Sequence, residues 1–255
     1  MSSTADSASH IKGRPRLRRA ALASAASLFA LLWVGGVASQ WLGGAREEDG
    51  PLASLFLMLA GLVVLLGAGP RRDRAALACV ALLGFAVEFV GARYGAPFGA
   101  YGYTGVLRPQ LLGVPVVMGF AWMALVAYAC ELARRFRLPA WPAAVAAALW
   151  TTATDLVIDP LAVNHFGYWT WGRAGAYYGI PFTNFVGWFV TSLVACRVVG
   201  PRPAANAPAA FVGAAILLFF AAVALAHNFL PVALVGLGLC AAQLLVMRRR
   251  PERPG

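Results

Sequence analysis

Three acidic residues, Glu88, Asp155 and Asp159, stand within or at the ends of long apolar segments, where a charged side chain is costly and uncommon. Carboxyl groups kept from water favour the neutral acid, so groups placed this way are suited to holding and delivering protons. Asp155 and Asp159 are four residues apart, one turn above each other on a helical face, and Thr151 extends that polar stripe one turn below. Two plainer readings stand beside this one. Asp159 precedes Pro160, a position that commonly ends a helix. Glu88 and Asp155 would be structural if they paired with Arg93, Arg108 or Arg173.

The segments that carry these acids are written twice. Glu88 opens EFVGARYGAPFGAYGYTGVLRPQLLGVPVVMGFAWMALVAYAC, and Asp155 opens DLVIDPLAVNHFGYWTWGRAGAYYGIPFTNFVGWFVTSLVAC. In each, an FG-plus-aromatics loop leads to a G-[VI]-P turn, then to a Trp and a Cys at the same distances from that Pro. Phe98, Tyr101 and Tyr103 match Phe166, Trp169 and Trp171; Pro115, Trp122 and Cys130 match Pro181, Trp188 and Cys196. The copies read as two helix–loop–helix units of one design, with one acid from each directed to a shared site.

The elements that must position these residues are membrane helices. Of the 255 residues, 60% are hydrophobic and 12% charged, and mean hydropathy is +0.71, outside the range of soluble domains. The apolar runs predict an all-α bundle of about eight spans: Ala20–Leu42, Leu52–Ala68, Ala75–Gly91, Leu111–Ala133, Ala140–Ile158, Phe182–Val199, Ala209–Ala226 and Leu230–Met247. Between the last two, His227, Asn228 and Pro231 leave room only for a very tight turn or a broken, re-entrant helix. The whole chain, 1–255, reads as one integral membrane domain. It comprises a basic tail over 1–19, a repeat-containing core over 75–200 and a helix pair over 209–247, with polar, disordered ends at 1–11 and 251–255.

Of the 21 basic residues, 17 fall in segments 12–19, 71–74, 134–137, 197–202 and 248–253, leaving Arg46, Arg93, Arg108 and Arg173 on the other side. This bias predicts cytoplasmic termini and a multi-pass protein of the cell's inner (cytoplasmic) membrane. The net charge of +11 therefore belongs to short loops that meet anionic headgroups, and it does not indicate nucleic acid. The basic start followed by an apolar run reads as an uncleaved signal anchor.

This topology gathers Glu88, Asp155, Asp159 and both aromatic loops at one depth, in the outer half of the membrane. Tyr101, Tyr103, Trp169, Trp171 and Tyr178 are candidate ligand-contacting rings there, joined by Asn184 and Trp188 on one face of the sixth span. Interfacial preference alone accounts for part of this aromatic content. Cys79, Cys130, Cys196 and Cys240 are dispersed and read as packing residues. His165 and His227 read as hydrogen-bonded interfacial residues, and neither a metal nor a cofactor is predicted.

The combination E-x-x-G, G-x-P-F-G-x-Y-x-Y (Glu88–Tyr103), G-V-P (Gly113–Pro115), D-L-x-x-D-P (Asp155–Pro160), W-x-W (Trp169–Trp171) and Y-Y-G-I-P-x-x-N-F-x-G-W (Tyr177–Trp188) resembles the membrane carotenoid 1,2-hydratases. That family includes the γ-carotene 1′,2′-hydratase and bisanhydrobacterioruberin hydratase types. The resemblance covers about Ala75–Gly200. It implies carotenoid biosynthesis by redox-neutral addition of water to the terminal double bond of an acyclic ψ end group, giving a tertiary alcohol. The substrate would be an acyclic or monocyclic carotenoid drawn from membrane lipid, with other carotenoid-pathway enzymes as possible partners.

For that chemistry the site residues supply an acid to form a tertiary cation, with Glu88 the first choice. Asp155 and Asp159 would position or deprotonate the water, and aromatic faces would stabilise the cation. The repeat makes exchange of roles between Glu88 and Asp155 equally consistent. A long apolar groove between the repeat units is expected to admit the polyene. Two other functions fit the same residues: a lycopene-type cyclase, and a small-molecule or polyene transporter or binding protein with carboxyls as proton relays.

Overall fold

Apolar runs this long can satisfy their backbone polar groups inside a bilayer only as helices or closed barrels. The computed structural model describes residues 4–43, 50–200 and 203–248, with side chains from 16 onward. Its helices are α1 (Thr4–Leu42), α2 (Gly50–Gly67), α3 (Arg71–Tyr94), α4 (Val117–Arg134), α5 (Ala140–Asn164), α6 (Phe182–Val199), α7 (Ala207–Ala226) and α8 (Leu230–Arg248). All eight are long and apolar enough to cross a membrane, α1 doing so over Arg16–Leu42. The chain is an all-α, multi-pass membrane protein. Its strands are short pieces in the loops: β1 (Tyr101–Tyr103), β2 (Gln110–Leu111), β3 (Val114–Pro115) and β4 (Trp169–Trp171).

Several boundaries differ from those predicted. α1 starts at Thr4 where a disordered 1–11 and a basic tail to 19 are expected from polarity alone. Arg18 and Arg74 both donate to the carbonyls of Ala68 and Gly69, so basic residues tie α1 and α3 to the exposed end of α2. The tail 251–255 and Arg46 lie outside the described residues. α4 begins at Val117 and not at Leu111, because β2 and β3 form a hairpin whose two turn residues, Leu112 and Gly113, both have positive φ. α5 runs past Ile158 to Asn164 with Pro160 inside it. α7 and α8 are unbroken, joined by a tight turn with Asn228 in the left-handed region.

α4 is the buried centre of the bundle and packs against α2, α3, α5, α6, α7 and α8. Several polar groups at depth are paired across helices. The Tyr128 hydroxyl donates to Gln243 Oε1, and Gln243 Nε2 donates to the Ala210 carbonyl, which clamps α4, α7 and α8 together. Glu131, a buried acid that the sequence pattern did not single out, accepts from Arg134, Arg135 and the Asn206 backbone N–H. It is a structural carboxylate at the end of α4.

Candidate active site

α3 presents Glu88 to the interior, 5% exposed, with Gly84 one turn below and Gly91 one turn above. A Cβ at Gly84 would collide with Trp122; one at Gly91 would stand 2.7 Å from the Tyr101 hydroxyl oxygen and 2.9 Å from the Phe98 ring. The two glycines make room for the donors that surround the acid. Tyr101 and Tyr103 donate their hydroxyls to Glu88 Oε2 at 2.5 and 2.6 Å, and Trp122 Nε1–H donates to Oε1 at 2.8 Å. Both carboxyl oxygens thus accept side-chain hydrogen bonds. Burial first, then the neighbouring Glu88, pushes both phenols well above their usual range, so Tyr101 and Tyr103 stay protonated donors. The structural alternative for Glu88, an arginine partner, is not what is seen. Arg108 donates to the Gly105 carbonyl, Arg93 lies over the Tyr94 ring, and among the described residues the ion pairs join Glu131 to Arg134 and Arg135.

Asp155 and Asp159 project from α5, 0% and 1% exposed. Asn184, on the first turn of α6, donates through Nδ2 to Asp155 Oδ2 and to Asp159 Oδ2, both at 2.8 Å. Trp169 Nε1–H donates to Asp159 Oδ1 at 2.9 Å. Asp155 Oδ1 is buried and has no protein partner, and the same holds for Trp171 Nε1.

Asp159 does not end its helix, contrary to the simpler reading of Asp-Pro. Pro160 lacks the N–H that would bond to the Leu156 carbonyl, and Tyr177 replaces that donor, its hydroxyl lying 2.9 Å from Leu156 O. The helix therefore continues, and Asp159 stays on the inward face above Asp155.

A two-stranded antiparallel sheet closes the cluster. β1 pairs with β4 in the register Tyr101↔Trp171, Gly102↔Thr170 and Tyr103↔Trp169. The rings of Tyr101 and Trp171 are 5.2 Å apart, and those of Tyr103 and Trp169 are 6.0 Å apart. Beneath them Trp122 stacks on Trp188 at 4.3 Å, one turn from Asn184. Glu88 is therefore linked to Asp159 through Tyr103 and Trp169, while its other indole donor, Trp122, stacks on Trp188 of α6.

Nine of the ten predicted site residues meet here; Tyr178 does not. Its ring packs on Phe229 at the α7–α8 turn. His165 and His227 lie with their rings 3.8 Å apart, both Nε2 atoms on Gln40 Oε1. Trp122 and Tyr177 were not among the predicted site residues, although Trp122 is the repeat match of Trp188. The three carboxyls are buried beneath the aromatic sheet, with α3 packing directly on α6.

The molecule is thus a multi-pass helical membrane protein with a buried, aromatic-lined carboxyl cluster. The carotenoid biosynthesis protein family matches residues 50–243, and the chain belongs to that family. Over 130 residues it is 35% identical to the bisanhydrobacterioruberin hydratase of Haloarcula japonica, a match that covers 49% of this chain and 44% of that protein. The chain therefore spans less than half the length of that curated relative. No solved structure matches it.

Proposed function

We propose that the chain hydrates the terminal C1,2 double bond of an acyclic ψ end group, as a carotenoid 1,2-hydratase, and that Asp155 is the proton donor. The observation that carries this is the convergence of Asp155 and Asp159 on the single Asn184 amide, with Asp155 Oδ1 left unpartnered in a buried site. Two carboxyls so close cannot both be charged away from water, and the oxygen with no donor is the natural seat of the shared proton. Glu88, served by three donors, is the better anion. The hydrogen bonds thus favour the second of the two role assignments that the sequence leaves open.

In this reading Asp155 protonates the less substituted alkene carbon, and the tertiary cation forms between the aromatic faces and the Glu88 carboxylate. Water adds to the cation, and its surplus proton passes to Asp159. Transfer from Asp159 to Asp155 resets the pair. Trp171 Nε1, a buried donor without a protein partner, is available to hold that water. The relative's name, a hydratase, supports addition of water over ring closure.

Contacts between repeat-matched residues support a pseudo-twofold axis through the site. Trp122 and Trp188 stack on each other, Cys130 Sγ lies 3.4 Å from Cys196 Sγ, and the Tyr101–Trp171 contact is the symmetry mate of Tyr103–Trp169. Residues that meet their own equivalents are what such an axis requires. The test is to express the chain in a host that accumulates lycopene or γ-carotene and to weigh the pigments. A mass gain of one water supports hydration; unchanged mass with altered absorption means cyclisation, and unaltered pigment favours transport or binding.

A further inference from the structure

A cavity lies at the opposite end of the bundle from the carboxyl cluster, where α4 ends, α5 begins and α6 ends. It measures about 410 Å³, with Arg134, Arg135 and Arg137 on one side and the small apolar surface of Cys130, Ala140 and Ala144 on the other. Glu131, next to the lining residue Cys130 on α4, already accepts from Arg134, one nitrogen of Arg135 and the Asn206 N–H. Arg135 Nε is buried without a partner, and among the described residues no acid pairs with Arg137. α5 begins at Ala140 in the cavity wall, and Pro139 gives it no side-chain cap. The positive end of a 25-residue helix therefore adds to the arginine field.

The surroundings place this cavity at headgroup level. Trp141 is 61% exposed beside it with Arg197 over its ring at 4.6 Å, and Phe136 and Leu138 are also exposed on the connecting loop. Exposed Trp flanked by Arg at the ends of spans is the pattern of the membrane interface. Basic pockets between spans at that level suit phosphate headgroups.

We propose that this cavity binds the phosphate of an anionic phospholipid from the adjoining leaflet. Arg135, Arg137 and the α5 N-terminus would hold the phosphate, and the alanine-lined wall would receive the glycerol and upper acyl carbons. This site is independent of the hydration reading. Its occupancy would fasten α4, α5 and α6 together at the end remote from the carboxyls.

The test uses the full-length protein in neutral detergent, titrated with dioleoylphosphatidylglycerol, dioleoylphosphatidylcholine or inorganic phosphate, and read by native mass spectrometry and thermal unfolding. One phosphatidylglycerol should be retained per chain and should raise Tm, with phosphatidylcholine retained far less and inorganic phosphate failing to displace the lipid. Arg137→Gln should weaken retention about fivefold, as expected for one interfacial cation. Ala143→Phe, which fills the cavity without changing charge, should abolish it. Arg135→Gln should act like Arg137→Gln; if it fails to fold through its Glu131 contact, the other two variants decide. Equal retention of both lipids, or wild-type retention in Arg137→Gln and Ala143→Phe, overturns the proposal. Displacement by inorganic phosphate would show a free-anion site and overturn it as well.

Discussion

The Tyr177 hydroxyl donates to the carbonyl of Leu156 at 2.9 Å, the acceptor that Pro160 leaves unpaired in α5. One phenol from the loop before α6 thereby keeps a proline-containing helix intact for a further turn. That turn holds Asp159 beside Asp155 and aims it at Asn184. Burial raises the Tyr177 phenol to about 12, so it remains a donor across the physiological range.

Tyr177→Phe should therefore cost stability as well as activity. Losing a hydrogen bond and leaving a part-buried carbonyl without a donor is worth about 1–3 kcal/mol, read as a lower Tm in detergent. Product formation should fall with it, because Asp159 is no longer held in place. Tyr178→Phe is the control and should change neither. Wild-type stability and turnover in Tyr177→Phe would mean that the helix tolerates Pro160 without this bond.

Acid should loosen the end of the bundle where α5 ends through His165. Burial, with His227 adding to it, holds the His165 imidazole down to about 4 from its usual 6.5. The unfolded chain then takes up a proton near pH 6.5 while the folded chain resists it until near pH 4. Stability is thus flat above pH 6.5 and falls as pH drops through that window. Thermal unfolding across this range should show the decline, and His165→Gln should flatten it. An unchanged slope in the variant would assign the acid sensitivity to other groups.

How much of this was legible in the sequence depends on the range over which each feature is fixed. The spans follow from local hydropathy, and the gathering of Glu88, Asp155, Asp159 and Asn184 follows from topology plus the repeated segment. The end of α5 was not legible, because a rule about Asp-Pro is local, whereas the Tyr177 donor that overrides it is 21 residues away from its acceptor. Trp122 was visible as the match of Trp188, but its role needed the stacked geometry. Tyr178 has a positive φ and packs on Phe229, a contact no pattern of spacing encodes. The start of α4 was overestimated because Leu111 and Leu112 are apolar yet belong to a hairpin.

The β1–β4 sheet must open if substrate reaches the buried carboxyls from above. Gly102 and Thr170 are cross-strand partners, both exposed, and a Cβ at Gly102 meets nothing within 4 Å. Paired Cα atoms in such a ladder lie about 4.5–5.5 Å apart, within disulfide reach. Gly102→Cys with Thr170→Cys, in a chain with its native cysteines replaced, should give an enzyme that is inactive when oxidised and restored by reductant. Each single variant should be insensitive to both treatments. Full turnover of the oxidised double variant would place substrate entry elsewhere, between the helices.

Asp155 and Glu88 should separate when activity and stability are measured together. Asp155→Asn removes the transferable proton and sets a neutral amide N–H₂ where the neutral acid's unpartnered O–H stood, so Tm should change little while hydration falls. General acid catalysis typically contributes about 10²–10⁴-fold. At about 1.4 kcal/mol per factor of ten, that loss corresponds to roughly 3–5.5 kcal/mol of transition-state stabilisation. Glu88→Gln instead turns an amide N–H₂ against donors, Trp122 Nε1–H or the phenols of Tyr101 and Tyr103. It should lower Tm by the equivalent of about 1–3 kcal/mol, the cost of an unsatisfied buried donor, and reduce activity along with it. Asp159→Asn should retain more activity than Asp155→Asn, since Asp159 receives the proton that water gives up and another base can accept it. If Glu88→Gln keeps its Tm and loses all hydration while Asp155→Asn still turns over, the acid is Glu88 and the roles proposed here are reversed.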